Sequence, residues 1–258
     1  MATKKVNIEY EKADGETEVK ELPIKVTQRI EIKKVDTETA RVKIVGDTPL
    51  LVHAWSEKAK KELLASQQMT KQQKKLKEKE KKDPFADFVE AAYWLTPRPE
   101  VRGLNEKEQI ARFEKAIEDG AMFGFPVVAF KKSMQNAMYN AGYITNRTLL
   151  RSLVHVDAAE GYHVGSSQQL CVIKFEGPIE CSEDVVKVGP QRAADLRYRP
   201  SYRKWSTELK ITLLKTGAFT MEDIITALDL SGYMNGVGEW RIERDGEFGT
   251  YHVEIIEE

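Results

Sequence analysis

Polar and apolar residues alternate along the first part of the chain. The stretch VNIEYEKADGETEVKELPIKV, Val6 to Val26, follows a period of two, the mark of half-buried strands, and Asp14-Gly15 at its middle is a hairpin turn pair. Its apolar residues are few, so this arm must pack on another surface, either its own domain or a neighbouring subunit. Val42 and Ile44, then Leu50, Leu51 and Val52, predict a buried strand broken by a Gly46-Asp47-Thr48-Pro49 turn. After Asp83-Pro84 the period becomes helical, with Phe85, Phe88, Val89, Ala92 and Leu95 on one face. Thr96 to Asn105 reads as a loop, followed by a short polar helix to Asp119. Helical spacing returns at Phe130, Met134, Ala137, Met138 and Ala141, with Gly142 as the stop. Leu149 to Val188 read as strands. Residues 191–205 read as a basic, aromatic loop that becomes an alternating strand from Trp205 to Leu214. Thr220 to Asp223 form a capping box ahead of Ile224, Ile225 and Leu228, and Gly232 ends that helix. A glycine-bracketed loop, GVGEWRIERDGEFG, precedes a last strand.

Between these elements lies SEKAKKELLASQQMTKQQKKLKEKEKKD, with only Leu63, Leu64, Met69 and Leu76 large and apolar. Its residues favour helix, but the apolar stripe is too thin for a core helix. It reads as a solvated helix or a mobile insertion, or as a basic arm reaching over a nucleic-acid strand. With the insertion set aside, the order approaches β-α-β-β-α-β. The expected class is therefore α+β with a ferredoxin-like, RRM-like core. The hairpin arm would occupy residues 1–38 and the core 39–258, with 56–84 as the insertion.

The chain has 258 residues, 41% hydrophobic and 31% charged, enough for a sizeable core. A net charge of -1 removes any global basic signature, so binding to a polyanion would have to come from a patch. Cys171 and Cys181 lack zinc-type spacing and read as free thiols in a reducing compartment. The start MATKKVNIEYEK has no apolar leader core and no run is long enough to span a bilayer, so a cytoplasmic location is expected. There is no Walker phosphate loop, no G-x-S-x-G and no H-E-x-x-H, and the glycine loop follows a helix, unlike a dinucleotide fingerprint. No catalytic group, cofactor or metal is expected. His155, Asp157 and His163 could run metal or acid–base chemistry, though their spacing fits no established ligand pattern; turn and surface positions explain them as well.

QRAADLRYRPSYRKW is more informative. Arg192, Arg197, Arg199, Arg203 and Lys204 interleave with Tyr198, Tyr202 and Trp205. Guanidinium groups fork onto phosphates and flat rings stack on unpaired bases. The alternative is an edge hairpin whose arginines pair with acids. In the glycine loop, Trp240 and Arg241 either sit against the sheet or a bound strand at a hinge, or belong to tight packing with Arg241 paired to an acid.

FPVVAFKKSMQNAMYNAG resembles the RAMP pattern, in which a Pro, a small-residue step and a Lys open the first helix of an RRM-like core. GDTPLLV resembles the first strand and turn of such proteins, the Cas7-like backbone subunits of CRISPR effectors included. The glycine loop is similar to the RAMP glycine-rich loop, with seven residues between Gly238 and Gly246 in place of five. The blocks PLLVHAWSEKA, FPVVAFK, RYRPSYRKW and GVGEWRIERDGEFG, in that order, also resemble a group of tailed-bacteriophage proteins, which would put the chain in a bacterial host's cytoplasm. The resemblance implies single-stranded RNA or DNA contacts and stacking of subunits along the strand, and no reaction.

The leading expectation is a non-catalytic binder of single-stranded nucleic acid, RNA before DNA, that self-associates. Lys131, Lys132, the Arg197-to-Trp205 run with Arg192, and Arg241 would make the contacts. A second reading is a phage protein-interaction or assembly module without nucleic acid, with Arg, Tyr and Trp as interface anchors. A third is a metal-dependent nuclease using His155, Asp157 and His163.

Overall fold

A computed structural model describes residues 3–11, 17–25, 35–55, 64–65, 67–68, 82–164, 168–188 and 193–256. The chain divides into two units, residues 1–35 and 36–258. In the first, β1 (Thr3–Glu11) and β2 (Thr17–Lys25) form an antiparallel ribbon with Val6 opposite Leu22 and Ile8 opposite Lys20. Two strands alone are marginal in water. The Asp14-Gly15 turn lies outside the described residues.

The second unit is an α+β structure with antiparallel sheets. Its larger sheet centres on β3 (Thr37–Gly46) and β11 (Lys204–Leu214), which pair from Ser206 opposite Val45 to Leu214 opposite Thr37. β12 (Tyr251–Ile255) pairs with the free edge of β3. Two strands share the other edge of β11. β6 (Val154–Ala158) takes Leu209 to Leu213, and β8 (Gln168–Glu176) takes Lys204 to Ser206. β8 also pairs with β5 (Phe123–Pro126) and β7 (Tyr162–Val164). On β11 every second residue is buried (Trp205, Thr207, Leu209, Ile211, Leu213), and on β3 so are Val42 and Ile44. Against this face pack α3 (Val127–Asn140) and α5 (Met221–Met234), which also pack on each other. Phe130, Met134, Ile224, Leu228 and Tyr251 fill the interface, each large side chain contributing about 1.5–3 kcal/mol of burial.

A smaller sheet runs in the order β4 (Leu50–Leu51), β10 (Ala193–Tyr202), β9 (Glu180–Val188). The chain changes sheets at Gly46–Pro49, the expected break, and again at Arg203. α1 (Pro84–Ala91) packs on β10 and opens on Asp83, whose side chain accepts from the Ala86 amide. α2 (Glu106–Glu118) is polar and opens on an Asn105–Glu108 capping box. No helix among the described residues is long and apolar enough to cross a membrane.

Three local expectations are corrected. Residues 147–153 are a helix, α4 (Arg147–Leu153), because the Asn146 side chain caps the Thr148 amide; the strand starts at Val154. Gly232 lies inside α5, not at its end: a Cβ there would be 1.9 Å from the Tyr251 carbonyl oxygen, so the glycine lets the helix touch β12. Residues 193–202 form a paired strand and not a loop, since Ala193 to Ser201 register against Val188 to Glu180. Most of the lysine-rich insertion lies outside the described residues; 64–65 and 67–68 are helical.

The sheet face turned away from α3 and α5 carries Arg41, Lys43, His155, Asp157, Glu208, Lys210, His252 and Glu254, and no Phe, Tyr or Trp among its described residues. Ion pairs link it, Lys43 to Glu254 at 2.8 Å and Lys174 to Glu208 at 2.5 Å.

Candidate nucleic-acid interface

The basic-aromatic run turns the corner between the two sheets, and Arg199 to Tyr202 are buried in succession because this corner is covered on both faces. Arg199 is 2% exposed; its Nη1 donates to Asp184 at 2.8 Å and its Nη2 to Glu239 at 3.1 Å. Tyr202 lies against Phe123 and Phe175, and burial pushes its hydroxyl pKa upward. The Trp205 indole donates to the Thr48 carbonyl at 2.9 Å and lies over Gly46, where a Cβ would be 2.0 Å from the ring nitrogen. Tyr198 packs, half-buried, on the Phe85, Phe88 and Val101 cluster. These four side chains are part of the packing, and none stands free to stack on a base.

Arg197 is half-buried, 3.7 Å from Asp195. Arg203 and Lys204 are exposed and paired, with Glu180 at 2.9 Å and Glu176 at 3.2 Å. Arg192 lies outside the described residues. The run is therefore part of the middle strand of the smaller sheet and the corner after it, with its described cations mostly matched by acids.

The glycine loop is strapped to the fold backbone to backbone. The Val237 amide donates to the Gly249 carbonyl, Glu239 to Leu51 and Gly249 to Pro49, each at 2.9 Å. A Cβ on Gly246 or Gly249 would come within 1.8 Å of the Trp240 or Val237 carbonyl oxygen. Its amides meet carbonyls and not a phosphate. Arg241 donates to the Gly238 carbonyl at 3.0 Å and pairs with Glu243 at 2.9 Å, the tightly packed arrangement. Trp240 holds φ 49, an outlier for a bulky residue, with its indole nitrogen buried and unpartnered among the described residues.

Lys131 and Lys132 sit differently. The Lys131 amine, half-buried and lowered in pKa by that burial and by Arg151 against the opposing pull of Asp157, donates to the Arg151 carbonyl at 2.9 Å. Lys132 is exposed. α3 and α4 thus bring Lys131 to Arg151 and Tyr139 to Arg147, two arginines that the sequence pattern alone did not single out, with Lys132 exposed on the same helix as Lys131. The signal was in the sequence: Gly120 to Val156 contains no Asp or Glu, in a chain with 41 of them.

His155 and Asp157 share the exposed face of β6, and His163 lies on β7 opposite Gln169. Among the described residues no three His, Cys, Asp or Glu side chains are grouped to hold a metal. Beside β10, burial lowers the pKa of His53, and Arg197 and Arg199 lower it further against Glu239 and Asp195. The ring stays neutral in the fold while the unfolded chain takes a proton near pH 6.5. Its contribution is complete above that value and is lost as the pH falls toward the lower folded value. Between about pH 7 and about pH 5 the thermal midpoint of the wild type should fall more steeply than that of His53→Leu; equal slopes would remove His53 from the acid response.

No family profile matches this chain, and no curated protein matches it.

Proposed function

We propose that this chain is a non-catalytic binder of single-stranded nucleic acid, RNA to be tested first, that self-associates along the strand through a RAMP-type, RRM-like core. The observation that carries the binding reading is the acid-free span from Gly120 to Val156, which folds into α3 and α4 and gathers Lys131, Lys132, Arg147 and Arg151 on a chain of net charge -1. Charge segregated in this way attracts a polyanion where the average surface does not. Support for the core comes from the antiparallel order β12-β3-β11-β6 with α3 and α5 on one face, which is the β-α-β-β-α-β permutation with long insertions. The two-stranded ribbon of β1 and β2 supports self-association, because two strands alone are marginal in water.

The sheet face, with no Phe, Tyr or Trp among its described residues, argues against base stacking there as RRM domains do it. The ribbon fits a second reading equally well, an assembly module without nucleic acid. Filter binding separates the two. The full chain should retain single-stranded RNA or DNA at about 50 mM salt and release it by about 200 mM. Protein that purifies free of nucleic acid, forms a defined oligomer and retains neither strand at low salt would be the assembly module.

A further inference from the structure

Resting on that reading, we propose that α3 and α4 form a stacking platform for the unpaired bases of a single strand, with Tyr143 and the Tyr139–Arg147 pair as its flat surfaces and Lys132, Arg147 and Arg151 as its phosphate contacts. The two helices lie side by side, tied at one end by the Lys131–Arg151 hydrogen bond and at the other by the Arg147 guanidinium, 4.2 Å over the Tyr139 ring. Along α3 those ties are about 12 Å apart at 1.5 Å per residue, room for more than one nucleotide.

Tyr143 is 70% exposed and Tyr139 44%. Isolated exposed rings are ordinary; two of them beside three exposed cations and one half-buried lysine, with no acid in the intervening sequence, are not. The cation over Tyr139 holds that ring in place and presents a guanidinium edge to a phosphate. Two acids touch this region: Asp157, which acts on Lys131, and Glu243, which Arg241 and Asn136 already engage. Flat rings recognise single strands because a duplex keeps its base faces stacked, so the ligand is single-stranded rather than double-stranded.

The test is fluorescence anisotropy of the full chain with labelled oligouridylate, oligothymidylate and a duplex of matched length, across a salt series. The wild type should bind either single strand more tightly than the duplex, and the ratio between the two identifies the preferred sugar. Arg147→Gln with Arg151→Gln should flatten the slope of log K against log salt by about 1.4, or about 0.7 for each phosphate no longer neutralised. Tyr139→Leu with Tyr143→Leu should weaken single-strand binding by about 10-fold or more with the salt slope unchanged. Arg41→Gln with Lys210→Gln, on the sheet face, should change neither. All six residues are exposed, and circular dichroism checks each variant for folding. If the wild type binds but the helix variants bind as it does, the platform is wrong and the binding reading stands. Binding of the duplex as tight as of the single strand, indifferent to both tyrosines, also overturns the platform and leaves a bare polyanion patch. If the wild type binds nothing at low salt, both fail, and the surface belongs to a protein partner.

Discussion

Gly249→Ala is expected to destabilise the fold by about 3–5 kcal/mol, the sum of a left-handed backbone cost and overpacking that side-chain motion cannot relieve. The new Cβ would lie 1.8 Å from the Val237 carbonyl oxygen, at a residue with φ 70. Backbone stands against backbone there, so relief requires breaking the Val237-to-Gly249 hydrogen bond and loosening the strap to Pro49. Gly142→Ala is the internal control. It has a similar φ of 80, and nothing lies within 4 Å of its Cβ, so only the backbone cost of about 1–2 kcal/mol applies. Urea unfolding of the two variants separates the contributions. Equal midpoints would mean that the loop yields and that its close packing is incidental. Stabilities of whole domains are commonly about 5–15 kcal/mol, so Gly249→Ala should leave a large unfolded fraction at physiological temperature.

Arg199→Met should cost about 3 kcal/mol, toward the lower end for removing one partner of a buried ion pair. Arg199 is 2% exposed, and its partner Asp184 15%; Glu239, at 41%, can turn to water, which lowers the loss. Met keeps the aliphatic stem but not the guanidinium end, so the loss combines the stranded Asp184 carboxylate with the void left at its side. Adding Asp184→Leu should restore most of the stability, since a matched apolar pair removes the uncompensated charge. A double variant no more stable than Arg199→Met would show that the guanidinium acts through packing alone. In either variant, binding at α3 and α4 should persist wherever the protein remains folded, which separates this arginine from the interface.

Periodicity exposed the strands and helices wherever one face is buried: Val42 and Ile44, Phe130 through Ala141, and Trp205 to Leu214 all fell into elements. It failed where a strand is covered on both faces. Arg199 to Tyr202 carry a polar, aromatic sequence typical of a loop, and only α1 packed on β10, with Glu239 of the glycine loop and the rings of Phe123 and Phe175 against it, makes them interior. α4 was hidden for a different reason. Leu149, Leu150, Leu153, Val154 and Val156 read as one apolar run, and a single Asn146 cap decides that its first half is helical. The proposed interface was hidden for a third reason. The arginines and tyrosines of residues 192–205 are the conspicuous signal, yet acids across the strand answer its described cations. The more telling feature was an absence, 37 residues without a carboxylate, visible only when charge is counted by segment.

The pairing of β3 with β11 also sets the order in which this protein can assemble. The two central strands are separated by more than a hundred residues of chain, and β12, the other neighbour of β3, comes later still. On a ribosome, β3 is made early and waits with both edges unpaired until the last strands emerge. Such long-range pairing makes for slow folding, on the scale of about milliseconds to seconds. The charges on the outer face of β3, Arg41 and Lys43, guard the unpaired strand against aggregation during that interval.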